Sequence, residues 1–392
     1  MADVARERSE PGGPRSLDPD DLLSALMLVA RLVLLLLFAV NIARGRVGGP
    51  DVVRFRQIAL HPGTPWRDFP VEFAPLQGLA IRMFFGASLR VDALVLAIVA
   101  FAADVTAFAV LRSAWGRRAG LLYLLVGLPL QGFIYQRIDL VSAALAVAAL
   151  GLARRRRERM AGIASAAAVL FKLWPAAIIP AFLLGRHRRA LAFAIAAVVA
   201  GGVAWIAFAG VDAPSQVSTF RGATGWQEES AIGSIVLIAT GGPERLEAGA
   251  IRVGTVPGWA PVALAAVLLL ALASIWFRAS RTRDDPAGAP SLVGICVLLL
   301  LSPVFSTQYV SWLLPWVAIA GSERRRTLMV TSVFGATLLT GALDSLRNAA
   351  GVSSTVVGLM SLARNALLVV VVVAWFAERH DDRSVEAVPP LR

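Results

Sequence analysis

Residues 22–43 read LLSALMLVARLVLLLLFAVNIA, and residues 190–210 read ALAFAIAAVVAGGVAWIAFAG. Each is long enough to cross a bilayer, whose hydrocarbon core of about 30 Å takes about 20 mostly apolar residues as a helix. Neither alternates apolar and polar residues with a period of two. Both are rich in Leu and Ala, so membrane helices are expected rather than barrel strands. The rest of the chain repeats this pattern. Of its 392 residues 57% are hydrophobic and 16% are charged, against about 25% charged in an ordinary soluble domain. The charges gather in short clusters between apolar runs.

The net charge of +12 does not point to nucleic acid. Its arginines sit at helix ends, where the positive-inside rule and anionic lipid place them. The clusters are Arg112/Arg117/Arg118, 154–157 with Arg159, Arg186/Arg188/Arg189, Arg278/Arg281/Arg283 and 324–326. With all of them in the cytoplasm, spans near 22–43, 89–111, 119–135, 138–153, 190–210, 257–277, 291–304, 308–321, 327–343 and 353–377 close a topology with both termini inside. The expected fold is therefore all-α: a polytopic transmembrane bundle of about ten spans. Residues 1–21 read as a disordered cytoplasmic tail with no cleavable signal peptide, 22–377 as one membrane domain, and 378–392 as a second cytoplasmic tail. The external loops are 44–88 and 211–257. The first holds a short apolar stretch at 73–86, too short to span and suited to interfacial helices. Residues 161–184 are flanked by Arg clusters on both sides and carry Lys172 and Pro175 at their centre. A single span would strand one cluster outside, so a re-entrant pair of half-helices bent at 171–175 is expected. Broken helices are tolerated at membrane depth where they line a cavity. No fixed-period or inverted repeat is visible.

Cys296 is the only cysteine, so no intrachain disulfide can form, and His61, His187 and His380 have no zinc-type spacing. No metal and no cofactor is expected. The informative residues are polar groups at membrane depth and acids just beyond a span. The first loop begins GPDVVRF (49–55) and continues PWRDFPVEFAPL (65–76), which contains Asp68 and Glu72. So dense a run of proline and aromatics is stiff and packs against the membrane face. Asp51 can act there as a general base on a hydroxyl. As a solvated acid or a helix cap it would do nothing more, and from chemistry alone that plainer role weighs more. Gln136, Arg137 and Asp139 form an outer turn. Lys172 is either a functional ionisable group in an apolar stretch or a chain snorkelling to the interface. The stretch 226–230 lies in the second external loop and reads equally as a plain solvated stretch, and 302–312 forms the outer turn of a helical hairpin.

In this order, the segments resemble glycosyltransferase family 87, C-fold (GT-C-like) membrane enzymes that include the polyprenol-phosphate-mannose-dependent α-1,2-mannosyltransferases of actinobacteria. An Asp soon after the first helix matches Asp51. A PYRDFxVEYPP-like segment is matched by 65–75, with departures at Trp66, Phe73 and Ala74. A GQxD-like turn is similar to 135–139, with Arg137 as a departure. A KxxP helix resembles 172–175, a QxES loop resembles 227–230, and an SPxYxxWxxP helix is matched loosely by 306–315, with Thr307 in place of its proline.

The resemblance implies a hexosyltransferase of the plasma membrane, acting at the outer face with inversion. Its donor is a polyprenyl-phosphate sugar, mannose first among the sugars, and its acceptor is a lipid or glycan hydroxyl in the cell envelope. That donor needs no Gly-rich nucleotide loop, and none is present. Asp51 is then the general base. Arg137, Lys172 and Arg221 are candidates to stabilise the leaving phosphate, and Gln308, Tyr309 and Trp312 to contact carrier or sugar. Asp68, Glu72, Gln136, Asp139, Gln227 and Glu229 complete the substrate-binding candidates. A carboxylate pair of Asp51 with Asp68 or Glu72 leaves a metal role open. Two other classes compete: a flippase of lipid-linked sugars, which calls for pseudo-symmetry and several ionisable groups deep in spans, and a non-catalytic partner in an envelope-synthesis complex.

Overall fold

The computed structural model describes residues 18–46, 49–218, 223–241, 244–247, 249–282, 284–321, 326–347 and 352–378. Helix α1 (Pro19–Ala43) leads into two short helices, α2 (Pro50–Leu60) and α3 (Pro75–Phe84), and then the long α4 (Leu89–Trp115). α5 (Arg117–Val126) is followed by 3-10 turns at Leu128–Leu130 and Ile134–Gln136, α6 (Asp139–Arg154), α7 (Glu158–Phe171), a 3-10 turn at Trp174–Ile178, α8 (Pro180–Leu184) and α9 (Arg188–Ala209). Next come α10 (Ala213–Ser218), β1 (Trp226–Gln227), α11 (Ala231–Thr240), β2 (Arg245–Glu247) and β3 (Ala250–Val253). The chain ends in α12 (Ala260–Ala279), α13 (Ala289–Leu301), a 3-10 stretch at Thr307–Leu313 running into α14 (Leu314–Gly321), α15 (Thr327–Arg347) and α16 (Ser354–Ala377).

Six described helices, α1, α4, α9, α12, α15 and α16, are long and apolar enough to cross a bilayer. The other expected spans are shorter or broken. α5 stops at Val126, where Gly127 caps it and Pro129 cannot donate to a continuing helix. α6 and α13 have 16 and 13 residues. α1 starts at Pro19, inside the stretch read as a tail, because Asp18 caps it by accepting from the Asp20 amide at 3.0 Å. Asp18 and Asp21 then pair with Arg117 and Arg112 at 2.5 and 2.7 Å, fixing this helix end to α4 and α5. The loop 44–88 contains the short helices α2 and α3, as expected. The loop 211–257 is more ordered than its sequence suggests: it holds α11 and an antiparallel sheet of order β1-β3-β2.

The segment 158–184 decides how the site is built. α7 ends at Phe171, and Lys172 is extended (φ −157°, ψ 127°). Pro175 and Pro180 then break the return path into a 3-10 turn and a five-residue helix. The break falls inside the expected bend. The arginines before α7 and after α8 line one groove, so the segment goes in and comes back to the end it left.

Small residues make the centre of the bundle dense. Ala97, Ala100 and Ala107 of α4, Ala143, Ala146 and Ala149 of α6, and Ala161 and Ala168 of α7 are fully buried. At Gly162 a Cβ would lie 2.4 Å from the Phe193 Cβ and 2.6 Å from the Ala190 carbonyl oxygen, so α7 and α9 touch backbone to backbone there. Most of α9 and α12 is exposed and apolar, as a lipid-facing surface requires.

Candidate active site

The site forms at the N-terminal end of α6. Pro50 opens α2 and Gly49, at φ +96°, turns the chain into it. Asp51 therefore sits in the first turn of α2, and its carboxylate meets the Arg137 guanidinium at 2.8 Å. Arg137 is the residue after the last 3-10 turn before α6, and Asp139 is in the first turn of that helix. Asp139 is 3% exposed and pairs with the ammonium of Lys172, which the α7 break brings there. Its carboxylate also accepts from the Trp312 indole at 2.9 Å.

Three aromatic rings stack beside this pair. Trp174 and Trp312 lie 5.1 Å apart at 11°, and Tyr309 and Trp312 4.2 Å apart at 21°. The Lys172 ammonium stands over the Tyr309 and Trp312 faces at 4.7 and 5.0 Å, a position that the ring quadrupole favours. Trp174 is tied down by donating to the Ser142 hydroxyl at 2.9 Å. Asp344 of α15 acts electrostatically on Arg137, and Arg252 of β3 on Tyr309. Four segments of the chain thus converge on two acids, two cations and an aromatic platform.

Asp51, Arg137, Asp139, Lys172, Tyr309 and Trp312 come together, and Lys172 reaches the site in full. Asp68, Glu72 and Gln136 have other partners. Asp68 accepts from the Thr64 amide at 2.6 Å, a bond that holds its carboxyl below the usual range. Glu72 pairs with Arg54 at 2.7 Å. Gln136 donates to the Gly132 carbonyl at 3.4 Å. The Gln308 Oε1 is buried without a partner among the described residues. Arg221 lies outside the described residues. Among them, no three His, Cys, Asp or Glu side chains are gathered as a metal ligand set.

Gln227 and Glu229 belong to a second centre. Glu229 pairs with Arg364 at 2.9 Å and with Arg347, and Glu228 pairs with Arg347. The Arg364 guanidinium lies 3.9 Å from the centroid of the Phe305 ring and donates to the Glu229 carbonyl at 2.6 Å. Burial pushes the Glu228 carboxyl up to about 7, against the lowering pull of Arg347. The Gln227 amide hydrogen bonds to the Pro303 carbonyl at 3.1 Å, joining this strand to the segment before Tyr309.

A third centre went unread. Arg31 of α1 and Asp104 of α4 form a buried pair at 2.5 Å. Tyr123 and Tyr135 donate to the two Asp104 oxygens at 2.7 and 2.8 Å. Tyr135 lies two residues before Arg137, so this centre holds one side of the turn that carries it. The signal was available, since an ionisable residue inside an apolar run is costly and needs a partner. The ionisable groups in the helices are more numerous than the sequence reading allowed, but Arg31, Arg326 and Arg364 are each closed by a carboxylate.

Trp66, one of the departures, has a structural account. It takes a left-handed φ of +64°. Its indole donates to the Phe73 carbonyl at 3.0 Å and meets the Trp205 ring edge-on at 5.7 Å. Gly78 leaves room for it, since a Cβ there would lie 2.4 Å from the ring.

The family model for glycosyltransferase family 87 matches residues 69–303. The chain belongs to that family. The match spans more than half of the protein and includes Arg137, Asp139, Lys172 and Glu229, while Asp51 and 307–313 lie outside it. This family 87 glycosyltransferase is also similar to a solved structure, ArnT from Cupriavidus metallidurans in the apo state. The TM-score is 0.47 at 14% identity, covering 89% of this chain and 77% of that one. No curated protein matches it.

Proposed function

We propose that this glycosyltransferase moves a hexose, mannose first among the sugars, from a polyprenyl-phosphate sugar to a hydroxyl of a lipid or glycan acceptor. The reaction takes place at the outer face of the plasma membrane, with both termini in the cytoplasm. The observation that carries the reading is the Asp51–Arg137 pair beside the Asp139–Lys172 pair and the Tyr309–Trp312 stack. A base, two cations for a phosphate and a platform for a sugar are the parts that such a transfer needs.

In the reaction the acceptor oxygen attacks the anomeric carbon and its proton passes to the Asp51 carboxylate. The bond between that carbon and the phosphate oxygen breaks, and the electron pair leaves with the polyprenyl phosphate. In-line attack inverts the configuration. A phosphate ester needs its developing charge stabilised more than it needs a strong acid, and fixed cations in a water-poor site do this well. Arg137 supplies planar donors and Lys172 a point charge. Asp139 holds Lys172 on the ring faces, where the rings can also receive the apolar face of a sugar.

The donor class is tested with membranes carrying the full chain, offered radiolabelled polyprenyl-phosphate-mannose or GDP-mannose. Label passing to acceptor from the lipid donor is the expected result. Transfer only from the nucleotide sugar would overturn the proposal. Membership of a glycosyltransferase family favours the enzyme over the flippase, and absence of transfer from every donor offered would favour the non-catalytic partner.

A further inference from the structure

The turns at the other end of α6 enclose a groove of about 820 Å³ lined by Arg156, Arg157, Arg159, Arg186, Arg188 and Arg189, with Glu158, Met160 and Phe193. α6 has 16 residues, which at 1.5 Å per residue puts this groove about 24 Å from Asp139 along the helix. That is close to the thickness of a hydrocarbon core. One acid lines the groove, and it faces His187 at 3.6 Å. Among the described residues no carboxylate pairs with any of the six arginines.

Four other arginines near this end are neutralised. Arg112 and Arg117 pair with Asp21 and Asp18, Arg154 with Asp285 at 2.6 Å, and Arg326 with Asp284 at 2.5 Å. Cations left unpaired around one concave surface, when acids serve their neighbours, await an anion from outside the chain.

The backbone adds an independent observation. Arg156 and Arg186 both have φ +60°. Each is the left-handed residue that closes a helix: the Arg157 amide returns to the Leu152 carbonyl at 3.0 Å, and the His187 amide to the Phe182 carbonyl at 2.8 Å. Glycine is the ordinary choice at such a position. Two strained arginines whose side chains share a groove indicate that the cation matters there more than backbone ease.

We infer that this groove binds the phosphate-bearing headgroup of an anionic membrane lipid. Several guanidiniums suit a phosphate by charge and by paired donors. The groove opens at Phe193 onto an exposed apolar face of α9 that continues through Ala200 and Ala204, which gives acyl chains a path and favours a lipid over a free ion. The headgroup bridges the two feet of the 158–184 hairpin, whose tip carries Lys172.

The test is native mass spectrometry of the purified full chain titrated with dioleoyl-phosphatidylglycerol, dioleoyl-phosphatidylcholine or inorganic phosphate. The key variant is Arg156→Gly/Arg186→Gly, which removes two cations and relieves both left-handed residues, so that it folds at least as well. The control is Arg118→Gln/Arg281→Gln, the same change of charge away from the groove. Phosphatidylglycerol bound at least tenfold tighter than phosphatidylcholine, and weakened at least tenfold in the glycine variant alone, is the expected result. Equal weakening in the control would reduce the effect to diffuse attraction and overturn the site. Inorganic phosphate displacing the phosphatidylglycerol at equal concentration would assign the groove to a free anion and overturn the lipid.

Discussion

The Asp51 carboxylate lies 2.8 Å from the Arg137 guanidinium, which joins the first turn of α2 to the turn before α6. In the proposed reaction Arg137 holds the carboxylate in place and meets the leaving phosphate. Arg137→Gln should lower kcat/KM by about 10²–10³-fold, the usual cost of removing one donor to developing charge. Arg137→Lys should recover only part, because a point charge cannot reproduce the planar fork. Steady-state transfer assays on the two variants check both.

Lys172 and Asp139 act as a unit, with Asp139 only 3% exposed. Lys172→Met strands that carboxylate and should cost roughly 3 kcal/mol of stability as well as activity. Lys172→Met/Asp139→Leu should regain most of the stability and none of the transfer. Thermal unfolding in detergent alongside the transfer assay separates the two effects.

The Arg31–Asp104 centre makes the same point for the fold. Asp104→Asn leaves a guanidinium buried without its counter-ion and should cost about 3–5 kcal/mol. Arg31→Leu/Asp104→Leu should unfold closer to wild type than Asp104→Asn does. Tyr135 loses its acceptor in that double variant, so transfer should stay lower than its stability suggests.

Glu228 makes stability depend on pH. Burial, opposed by Arg347, raises its carboxyl from 4.5 to about 7 in the folded protein. Between those two values the folded state binds more protons than the unfolded one, so stability falls as pH rises from 4.5 towards 7 and levels off above it. Glu228→Gln should remove this component. The melting temperature of wild type minus that of Glu228→Gln, followed from pH 4.5 to 8, should decline through the window and then stay flat.

The helical membrane character was legible at once, because 20-residue apolar runs have few other uses. The bend at 171–175 was legible too, since two Arg clusters and a proline leave a straight span no place. Lengths were harder to read. Gly127 and Pro129 end α5 well before its apolar run does. α11 and the β1-β3-β2 sheet were hidden because strands of two to four residues carry little pattern of their own. In the site, the motifs pointed to Asp51, Arg137, Asp139, Lys172, Tyr309 and Trp312, whereas which of them pair comes from three-dimensional closure. Nothing in the local sequence of Asp139 says that the Trp312 indole will reach it across 173 residues. Arg31 and Asp104 are the instructive omission, for each is a charge in an apolar run that predicts the other.

The central claim is that Asp51 is the base of a transfer from a polyprenyl-phosphate sugar. The most direct measurement is transfer of radiolabelled mannose from polyprenyl-phosphate-mannose into lipid by membranes holding equal amounts of wild type and Asp51→Asn. The account predicts transfer by wild type and a loss of about 10²–10⁴-fold in the variant, the usual contribution of a general base. An Asp51→Asn enzyme that transfers mannose at the wild-type rate would contradict it.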